Sequence, residues 1–223
     1  MFILGYIVTA VVAYLLGSIP TGFLVAKARG VDIRTVGSGN IGATNVFRIL
    51  GKPAGIFVLL MDALKGFAAV ALVVNFYHEL NDVLPNLFAV EGITNPQVRT
   101  GFGIVAGLFA VLGHNYTCWL RFKGGKGIAT TAGVFAALAP LAVLVALVSW
   151  IVMFLLTRYV SLGSIAAAVA LPTAVWLTKD SVTLGVMTTG IGLLAILKHR
   201  ANIQRLLAGT EHRISFQRKP TSA

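Results

Sequence analysis

The chain offers few groups for redox, metal or carboxylate chemistry. Its 223 residues include one cysteine, Cys118, and only seven Asp and Glu residues. A single cysteine excludes an internal disulfide and a cysteine-built metal cluster. Only Asp32 and Glu211 fall near the basic segments described below, which is too few for a di-metal site or a carboxylate dyad. We therefore expect no metal and no cofactor.

Charge of either sign is also scarce, and the hydrophobic runs are long. Charged residues make up 11% of the chain, against about 25% in a soluble domain, and the mean hydropathy is +0.87. About 20 apolar residues suffice to cross roughly 30 Å of bilayer hydrocarbon. The sequence therefore predicts an all-α polytopic membrane protein. Runs without charge, or nearly so, cover 1–26, 53–77, 100–120, 127–157, 159–178 and 181–197.

The distribution of Lys and Arg assigns the sides of the membrane. Cytoplasmic loops collect these residues, and 15 of the 18 fall in the segments 27–52, 121–126 and 158 and in the tail from 198. The loop 78–99 is acidic and suits the outer side. The asymmetry places the N-terminus outside and the C-terminus in the cytoplasm. It also accounts for the net charge of +11 without a nucleic-acid partner.

The number of crossings follows from the rule that two segments on the same side of the membrane are joined by an even number of them. The segments at Lys126 and Lys198 are both assigned inside, so an even number of crossings joins them, yet three hydrophobic runs lie between. The run 127–157 is longer than one crossing needs and has Pro140 near its middle, where proline breaks or kinks a helix. Two short passes there give seven transmembrane helices. The alternative is five, with one late pair flat or re-entrant.

Three basic segments punctuated by polar or glycine residues lie between the runs and predict an anion site. The first, 37–48, alternates small residues with hydroxyl and amide side chains and ends in Arg48. Glycine lets backbone amides approach an anion, and a guanidinium binds phosphate bidentately. An ordinary turn and helix cap is the alternative. The candidate ligands are Ser38, Gly39, Asn40, Thr44, Asn45 and Arg48.

The second segment, Lys123 to Gly127, precedes a helix that we predict to start near Ile128. Backbone amides and the helix dipole favour an anion at such a terminus. The segment is not a Walker A loop, because Gly127 stands where that motif needs Ser or Thr. His114 is either a ligand or a packing residue. The candidate binding residues here are Lys123, Gly124, Gly125, Lys126 and Gly127.

The third segment follows the last hydrophobic run. A helix there would place His199, Asn202 and Arg205 on one face, where they could touch a substrate. A basic juxtamembrane helix that binds anionic lipid headgroups explains the charges equally well. The uncharged Asn202 and the titratable His199 favour the first interpretation.

Two features lie inside the predicted helices. Asp62 and Lys65 are three residues apart, and an ionisable residue in a membrane helix is a candidate for function. The pair is either a structural ion pair or a substrate contact. The glycines and the proline of 17–22 loosen the inner end of the first helix, which we interpret as close helix packing rather than as a lateral opening.

Taken together, these segments resemble the bacterial acyl-phosphate:glycerol-3-phosphate acyltransferases of the PlsY type. The resemblance covers nearly the whole chain and departs only in a longer outer loop around 75–100 and in the tail after Arg213. The His-x-x-x-x-Asp signature of other phospholipid acyltransferases is absent. The segments that carry the resemblance are 17–22, 38–48, 62–66, 113–127 and 199–211.

The resemblance implies transfer of a fatty acyl group from acyl phosphate to the sn-1 hydroxyl of glycerol 3-phosphate, the first acylation step of phospholipid biosynthesis. The products are lysophosphatidic acid and phosphate. The catalytic residues that it implies are Ser38, Arg48, Lys126, His199 and Asn202. The binding residues that it implies are Gly39, Asn40, Thr44, Asn45, His114, Lys123, Gly124, Gly125, Gly127, Arg205 and Glu211.

Under this resemblance the residues have distinct roles. Arg48, with Ser38 and Thr44, would hold one phosphate. Lys123, Lys126 and the amides between them would hold another. His199 and Asn202 would orient the glycerol, and Glu211 would fix the third segment.

The sequence leaves three points open. The general base is either His199, with an ordinary pKa of about 6.5, or the substrate's phosphate, with a second pKa near 6, and the scarcity of carboxylates favours the phosphate. Acyl-CoA or acyl carrier protein could be the donor. A transporter for an organic phosphate would also have an anion cavity between broken helices, although the chain has no inverted repeat.

The organisation that we expect is one integral-membrane domain over 1–213 with a basic cytoplasmic tail over 214–223. The expected location is the bacterial inner membrane, with the active site facing the cytoplasm. We expect the protein to act as a monomer among membrane lipids.

Overall fold

The computed structural model describes residues 2–83, 95–179 and 181–214. Every regular element in these ranges is helical, which confirms the all-α prediction. The helices are α1 (Phe2–Ser18), α2 (Thr21–Lys27), α3 (Ala43–Leu50), α4 (Lys52–Val83), α5 (Pro96–Asn115), a 3₁₀ turn (Cys118–Leu120), α6 (Ile128–Leu138), α7 (Pro140–Thr157), α8 (Val160–Thr178), α9 (Val182–Lys198) and α10 (Arg200–Leu207). The predicted tail beyond 214, and residues 84–94 of the outer loop, lie outside the described residues.

In the described part of the chain, five helical segments are long and apolar enough to cross a membrane. They are Ile3–Lys27, Lys52–Val73, Pro96–Leu120, Pro140–Thr157 and Val160–Thr178. α9 and α10 together would be a sixth, bent by 54°. α6 is apolar but has only 11 residues. The polytopic architecture is confirmed, whereas the count of seven depends on α6 and α9 each crossing.

Pro20 separates α1 from α2, because proline has no amide hydrogen and disfavours helix in the residue before it. Two side chains from distant parts of the chain bond to the carbonyls at this break. Thr117 Oγ1 donates to the Ser18 carbonyl oxygen over 2.6 Å, and Lys65 Nζ donates to the Ile19 carbonyl oxygen over 2.8 Å. A methyl group on Gly17 would overlap the backbone of α5. The segment 17–22 therefore provides close helix packing, as its glycines predict.

Glycines also bring α4 and α6 together. A methyl group on Gly66 would overlap the carbonyl oxygen of Thr130, and one on Gly133 would overlap that of Ala63. Helices in lipid associate through such close van der Waals contact, since lipid supplies no hydrophobic drive between them. The contact fixes the start of α6, and the loop before it, against α4.

The run 127–157 is broken where Pro140 predicts. Helix α6 ends at Leu138, and Pro140 is the first residue of α7. The start of α6 and the end of α7 lie at the same face, because Lys126 bonds to α10 and the Arg158 carbonyl oxygen accepts from the Ile214 amide over 3.0 Å. The two helices therefore lead away from that face and return to it.

A small separate core anchors the segment between α2 and α4. Ile33, Ile41 and Val46 are almost fully buried there and pack with Val58 of α4. Because of this core, the first polar segment is folded against the start of α4. The main core lies deeper among the long helices, with Phe102 and Phe135 among its largest fully buried side chains.

Candidate active site

The first polar segment is held in shape by Asn45. Its Oδ1 accepts a hydrogen bond from the Ser38 amide over 2.9 Å, and its Nδ2 donates to the carbonyl oxygens of Ile33 and Val36 over 3.2 and 3.1 Å. Asn45 is 2% exposed. Its side-chain amide is thus used internally, and it supports the loop around Ser38 instead of facing a ligand.

The backbone turns sharply on both sides of Ser38. Gly37 and Gly39 have φ of +61° and +67°, which favours glycine. Asn40 Oδ1 accepts from the Gly42 amide over 2.8 Å, so this asparagine also shapes the turn. Ser38 itself is exposed. Its hydroxyl is therefore open to a ligand.

Arg48 lies in the last turn of α3 and is half-buried, as is Thr44 one turn earlier. Burial lowers the pKa of the Arg48 guanidinium, the Glu211 carboxylate raises it, and the Arg205 guanidinium lowers it. Glu211 and Arg205 belong to the third segment. The first and third segments are therefore close enough for their charges to interact.

The second segment begins its helix at Ile128, as predicted, after Gly127 with φ of +82°. Two of its amides are used internally: Gly125 donates to the His114 carbonyl oxygen over 3.0 Å and Gly124 to that of Asn115 over 3.3 Å. The amides of Lys126 and Gly127 have no hydrogen-bond partner in the described part of the chain. These two, rather than those of the preceding glycines, can receive an anion.

In the third segment the chain bends at His199, which follows α9 and precedes α10. His199 is buried, and its Nδ1 lies 2.7 Å from the carbonyl oxygen of Ala195. A carbonyl only accepts, so Nδ1 carries the proton and Nε2 of the neutral ring is an acceptor. Burial first, and then the charge of Lys126, lowers the pKa of His199 to about 4.

The second and third segments meet at Asn202. Lys126 Nζ donates to Asn202 Oδ1, and Asn202 Nδ2 donates to Glu211 Oε1 over 2.8 Å. Arg205 Nε donates to Glu211 Oε2 over 2.7 Å. Both ends of the Asn202 amide thus bond to protein groups, and the side chain joins Lys126 to Glu211. We refer to Arg48, Lys126, Arg205 and Glu211, with Asn202, as the cationic cluster.

Positive charge exceeds negative charge in the cationic cluster. Burial lowers the pKa of Lys126 to about 8; Glu211 raises it, and Arg205 and Arg48 lower it further. Burial alone would raise the pKa of Glu211, but hydrogen bonds from Asn202, Arg205 and Ser161 hold it below its usual value. Glu211 is therefore charged, and it pairs with Arg205. Arg48 and Lys126 form no ion pair within the described residues, which makes the cluster a receptor for anions.

A second polar group, which we call the buried triad, consists of Asp62, Lys65 and His114. Lys65 Nζ lies 2.8 Å and His114 Nδ1 3.6 Å from Asp62 Oδ1. All three residues are buried. His114 therefore lies beneath the second segment, away from the solvent-exposed side of the cationic cluster. This position favours the interpretation of His114 as a packing residue rather than as a ligand.

An apolar cavity of about 180 Å³ lies among α6, α7, α8 and α9. It reaches Ile128, the first residue of α6, and Ala195, whose carbonyl holds His199. Its deeper wall includes Ala146, Trp150 and Leu171. The cavity thus extends from the neighbourhood of the polar site into the apolar interior, as a receptor for a hydrocarbon chain must.

The three predicted segments meet at one face, although their residues have different tasks. Ser38, Thr44, Arg48, Lys123 and Lys126 remain open or half-open to a ligand, whereas Asn45, Asn202 and Glu211 bond to protein groups and His114 is buried beside Asp62. Sequence reasoning missed Ser161, whose hydroxyl donates to Glu211 Oε1 over 2.9 Å. No motif marks it, since it lies 50 residues away in the chain. Within the described residues, no three His, Cys, Asp or Glu side chains gather as a metal-binding group.

Comparisons with known proteins point to one family. A family model described as glycerol-3-phosphate acyltransferase matches residues 7–209. The chain is 48% identical to the glycerol-3-phosphate acyltransferase of Geotalea daltonii, over 92% of this chain and 96% of that protein. It is also 48% identical to the enzyme of the same name from Geobacter sulfurreducens, over 94% and 98%.

Solved structures give the same result. The fold is similar to that of PlsY (YgiH), an integral membrane glycerol 3-phosphate acyltransferase, in its glycerol 3-phosphate form. The TM-score is 0.80 at 40% identity, over 95% of this chain and 99% of that one. The lysophosphatidic acid form of PlsY matches with a TM-score of 0.77, over 94% and 95%.

Proposed function

The chain belongs to the glycerol-3-phosphate acyltransferase family, and we propose that it transfers a fatty acyl group from acyl phosphate to the sn-1 hydroxyl of glycerol 3-phosphate. The products are 1-acyl-glycerol 3-phosphate and inorganic phosphate. The observation that carries the proposal is the excess of positive charge in the cationic cluster, next to an apolar cavity. Two anionic head groups, one of them on a hydrocarbon chain, match that combination.

Each phosphate has its own set of contacts. Arg48, with the hydroxyls of Ser38 and Thr44, holds one phosphate. Lys126, with Lys123 and the free amides of Lys126 and Gly127, holds the other. Asn202 and Glu211 fix the position of the Lys126 ammonium, which is joined to Asn202 Oδ1.

In the reaction, the glycerol hydroxyl oxygen attacks the carbonyl carbon of the acyl phosphate. The bond from that carbon to the phosphate oxygen breaks, and phosphate leaves with the electron pair. Arg48 and Lys126 stabilise the negative charge that develops on the leaving group. Phosphate is a good leaving group, and these two cations supply the positive charge that the step needs.

The proton of the attacking hydroxyl passes to the phosphate of glycerol 3-phosphate. A base works best with a pKa near the operating pH, and the second pKa of a phosphate ester is about 6. The pKa of His199 is lowered to about 4, so its neutral ring is a weaker base. His199 therefore orients the glycerol by accepting from its second, non-attacking hydroxyl at the bare Nε2, with the ring held in place by the Ala195 carbonyl.

The acyl chain occupies the cavity among α6, α7, α8 and α9. The cavity opens beside Ile128 and Ala195, close to both Lys126 and His199. A second apolar groove lies on the outer side of α6 against α4, lined by Phe67 and Ala136 among others. That groove does not border the third segment, which favours the first cavity.

Orientation in the membrane follows from charge and from the placement of the helix ends. We place the cationic cluster at the cytoplasmic face of the bacterial inner membrane, with the N-terminus outside and seven crossings that include α6 and α9. The return of α6 and α7 to one face supports this count. The domain extends over 1–213, with a cytoplasmic tail over 214–223, and the protein acts as a monomer among membrane lipids.

The test compares acyl donors on the purified protein in lipid nanodiscs. With glycerol 3-phosphate as acceptor, we expect product from acyl phosphate and none from acyl-CoA or acyl carrier protein thioester. Turnover with either thioester at the rate of acyl phosphate would contradict the donor assignment. In the same assay, Ala146→Phe shortens the longest acyl chain accepted, while Ala136→Phe on the outer groove leaves chain length unchanged.

A further inference from the structure

The loop Lys123 to Gly127 takes its shape from the end of α5. The Gly125 amide donates to the His114 carbonyl oxygen over 3.0 Å, and the Gly124 amide to that of Asn115 over 3.3 Å. A methyl group on Gly125 would overlap Nε2 of the His114 ring, and one on Gly127 would lie 2.7 Å from Asn115 Oδ1. The loop backbone therefore rests directly on His114 and Asn115, and a shift of the His114 ring must move it.

The His114 ring in turn lies beside the ion pair that the other two members of the buried triad form. Its Nδ1 lies 3.6 Å from Asp62 Oδ1, and the same oxygen lies 2.8 Å from Lys65 Nζ. Lys65 Nζ also donates to the Ile19 carbonyl oxygen over 2.8 Å, at the break between α1 and α2. The triad thus connects three places, namely the break at Pro20, the middle of α4 and the floor of the loop.

The buried charges of Asp62 and Lys65 must do more than fill space. Asp62 and Lys65 are 3% and 8% exposed, and taking two charges out of water is unfavourable before their attraction is counted. Apolar residues of similar size would fill the volume without that cost. A charged pair provides what they cannot, a carboxylate charge next to the imidazole of His114 and a donor for the carbonyl of Ile19.

We propose that Asp62 and Lys65 are positioning residues for substrate phosphate. Their ion pair fixes the His114 ring, the ring fixes the backbone of Gly124 to Gly127, and that backbone places the Lys126 ammonium and the two free amides. Neither residue touches the substrate. The proposal rests on the proposed function only in naming phosphate as the ligand of the loop.

The first test is kinetic. Asp62→Asn keeps the size of the side chain and removes its charge, so the pair and the pull on His114 are lost. We expect the KM for one of the two phosphate substrates to rise about tenfold or more, with kcat within about threefold and the other KM unchanged. The matched control is Thr188→Val, which removes a buried hydroxyl that bonds within α9 to the Leu184 carbonyl. Its kinetics stay at the wild-type values.

The second test does not depend on catalysis. Amide hydrogen exchange of a peptide covering 121–129 is expected to be faster in Asp62→Asn and in His114→Leu than in the wild type and in Thr188→Val. If Asp62→Asn fails to accumulate in the membrane, His114→Leu carries both measurements with the same expected outcome. Lys65→Arg, which keeps the positive charge, restores most of the affinity relative to Lys65→Met.

Outcomes that overturn the proposal are specific. Unchanged KM values together with unchanged exchange in a folded Asp62→Asn variant would do so, and so would a fall in kcat with both KM values intact. Failure of the wild-type protein to use acyl phosphate is a different result, because it contradicts the proposed reaction while the exchange data still test the triad.

Discussion

The cationic cluster and the buried triad both contact the loop Lys123 to Gly127, yet their charges are arranged in opposite ways. In the triad, one carboxylate faces one ammonium and one imidazole, all nearly excluded from solvent. In the cationic cluster, three cations stand against the single carboxylate of Glu211: Arg205 pairs with it, Lys126 is joined to a neutral amide, and Arg48 forms no ion pair within the described residues. A balanced group needs no ligand, whereas an excess of positive charge is completed by an anion. The two groups therefore divide support and substrate binding between them.

The largest effect is expected from the cationic cluster. Lys126→Met keeps the length of the side chain and removes its charge, so a phosphate loses a charge-assisted partner at a half-buried site. We expect kcat/KM to fall at least about 10³-fold, or about 4 kcal/mol at 1.36 kcal/mol per factor of ten. Thermal unfolding in detergent is expected to shift little, because Lys126 adds to an excess of like charge.

The control for Lys126→Met is Lys52→Met, which removes an exposed cation at the start of α4. It should retain nearly full activity. If Lys126→Met lost activity and also lost much of its thermal stability, this lysine would have a structural role. The cationic cluster would then not differ in role from the buried triad.

How far the sequence leads depends on the kind of feature. The helix break at Pro140 and the start of α6 after Gly127 were predictable, because proline and glycine act through local backbone geometry. The three polar segments were predictable because charge and glycine are conspicuous between apolar runs. Their meeting at one face followed from the assignment of Lys and Arg to one side of the membrane.

The partners of individual polar atoms could not be predicted. Asn45 and Asn202 have amide side chains that could bind a ligand, but in both residues the amide bonds to protein groups. Which partner a buried amide finds depends on tertiary packing, as for Ser161 with Glu211 and Lys65 with the Ile19 carbonyl. A buried polar group requires a hydrogen-bond partner, but the sequence does not show which group that partner is.

A smaller effect is expected at His199, which borders the cationic cluster without adding charge to it. His199→Ala removes the acceptor Nε2 and leaves the phosphate contacts intact. If the substrate's phosphate takes the proton, kcat falls about 10- to 100-fold and a measurable rate remains, less than the loss of a full acid–base group usually costs. The measurement is the steady-state rate at saturating concentrations of both substrates.

His212→Ala is the control for His199→Ala, since His212 is exposed. Its rate should equal that of the wild type. Complete loss of turnover in His199→Ala, with wild-type substrate affinity, would show that the histidine is the base and that the phosphate is not.

The smallest effect is a pH dependence of KM, which is expected from the cationic cluster and not from the buried triad. Burial lowers the pKa of Lys126 to about 8 from its ordinary 10.5, so the free enzyme carries this charge below pH 8 and loses it as the pH rises through 8. A bound phosphate favours the charged form. The KM for the substrate that Lys126 holds is therefore expected to rise above pH 8, by about tenfold at pH 9 and about thirtyfold at pH 9.5, with one pKa unit equal to 1.36 kcal/mol.

Lys126→Arg sharpens this prediction, because a guanidinium stays charged over the whole range. Its KM, whatever its value at pH 7, should not change between pH 7 and 9.5. The KM for the other substrate should also stay level, since Arg48 keeps its charge. A wild-type KM that is flat to pH 9.5 for both substrates would mean that Lys126 is not the group whose charge holds phosphate, and that the excess charge of the cationic cluster acts through the arginines alone.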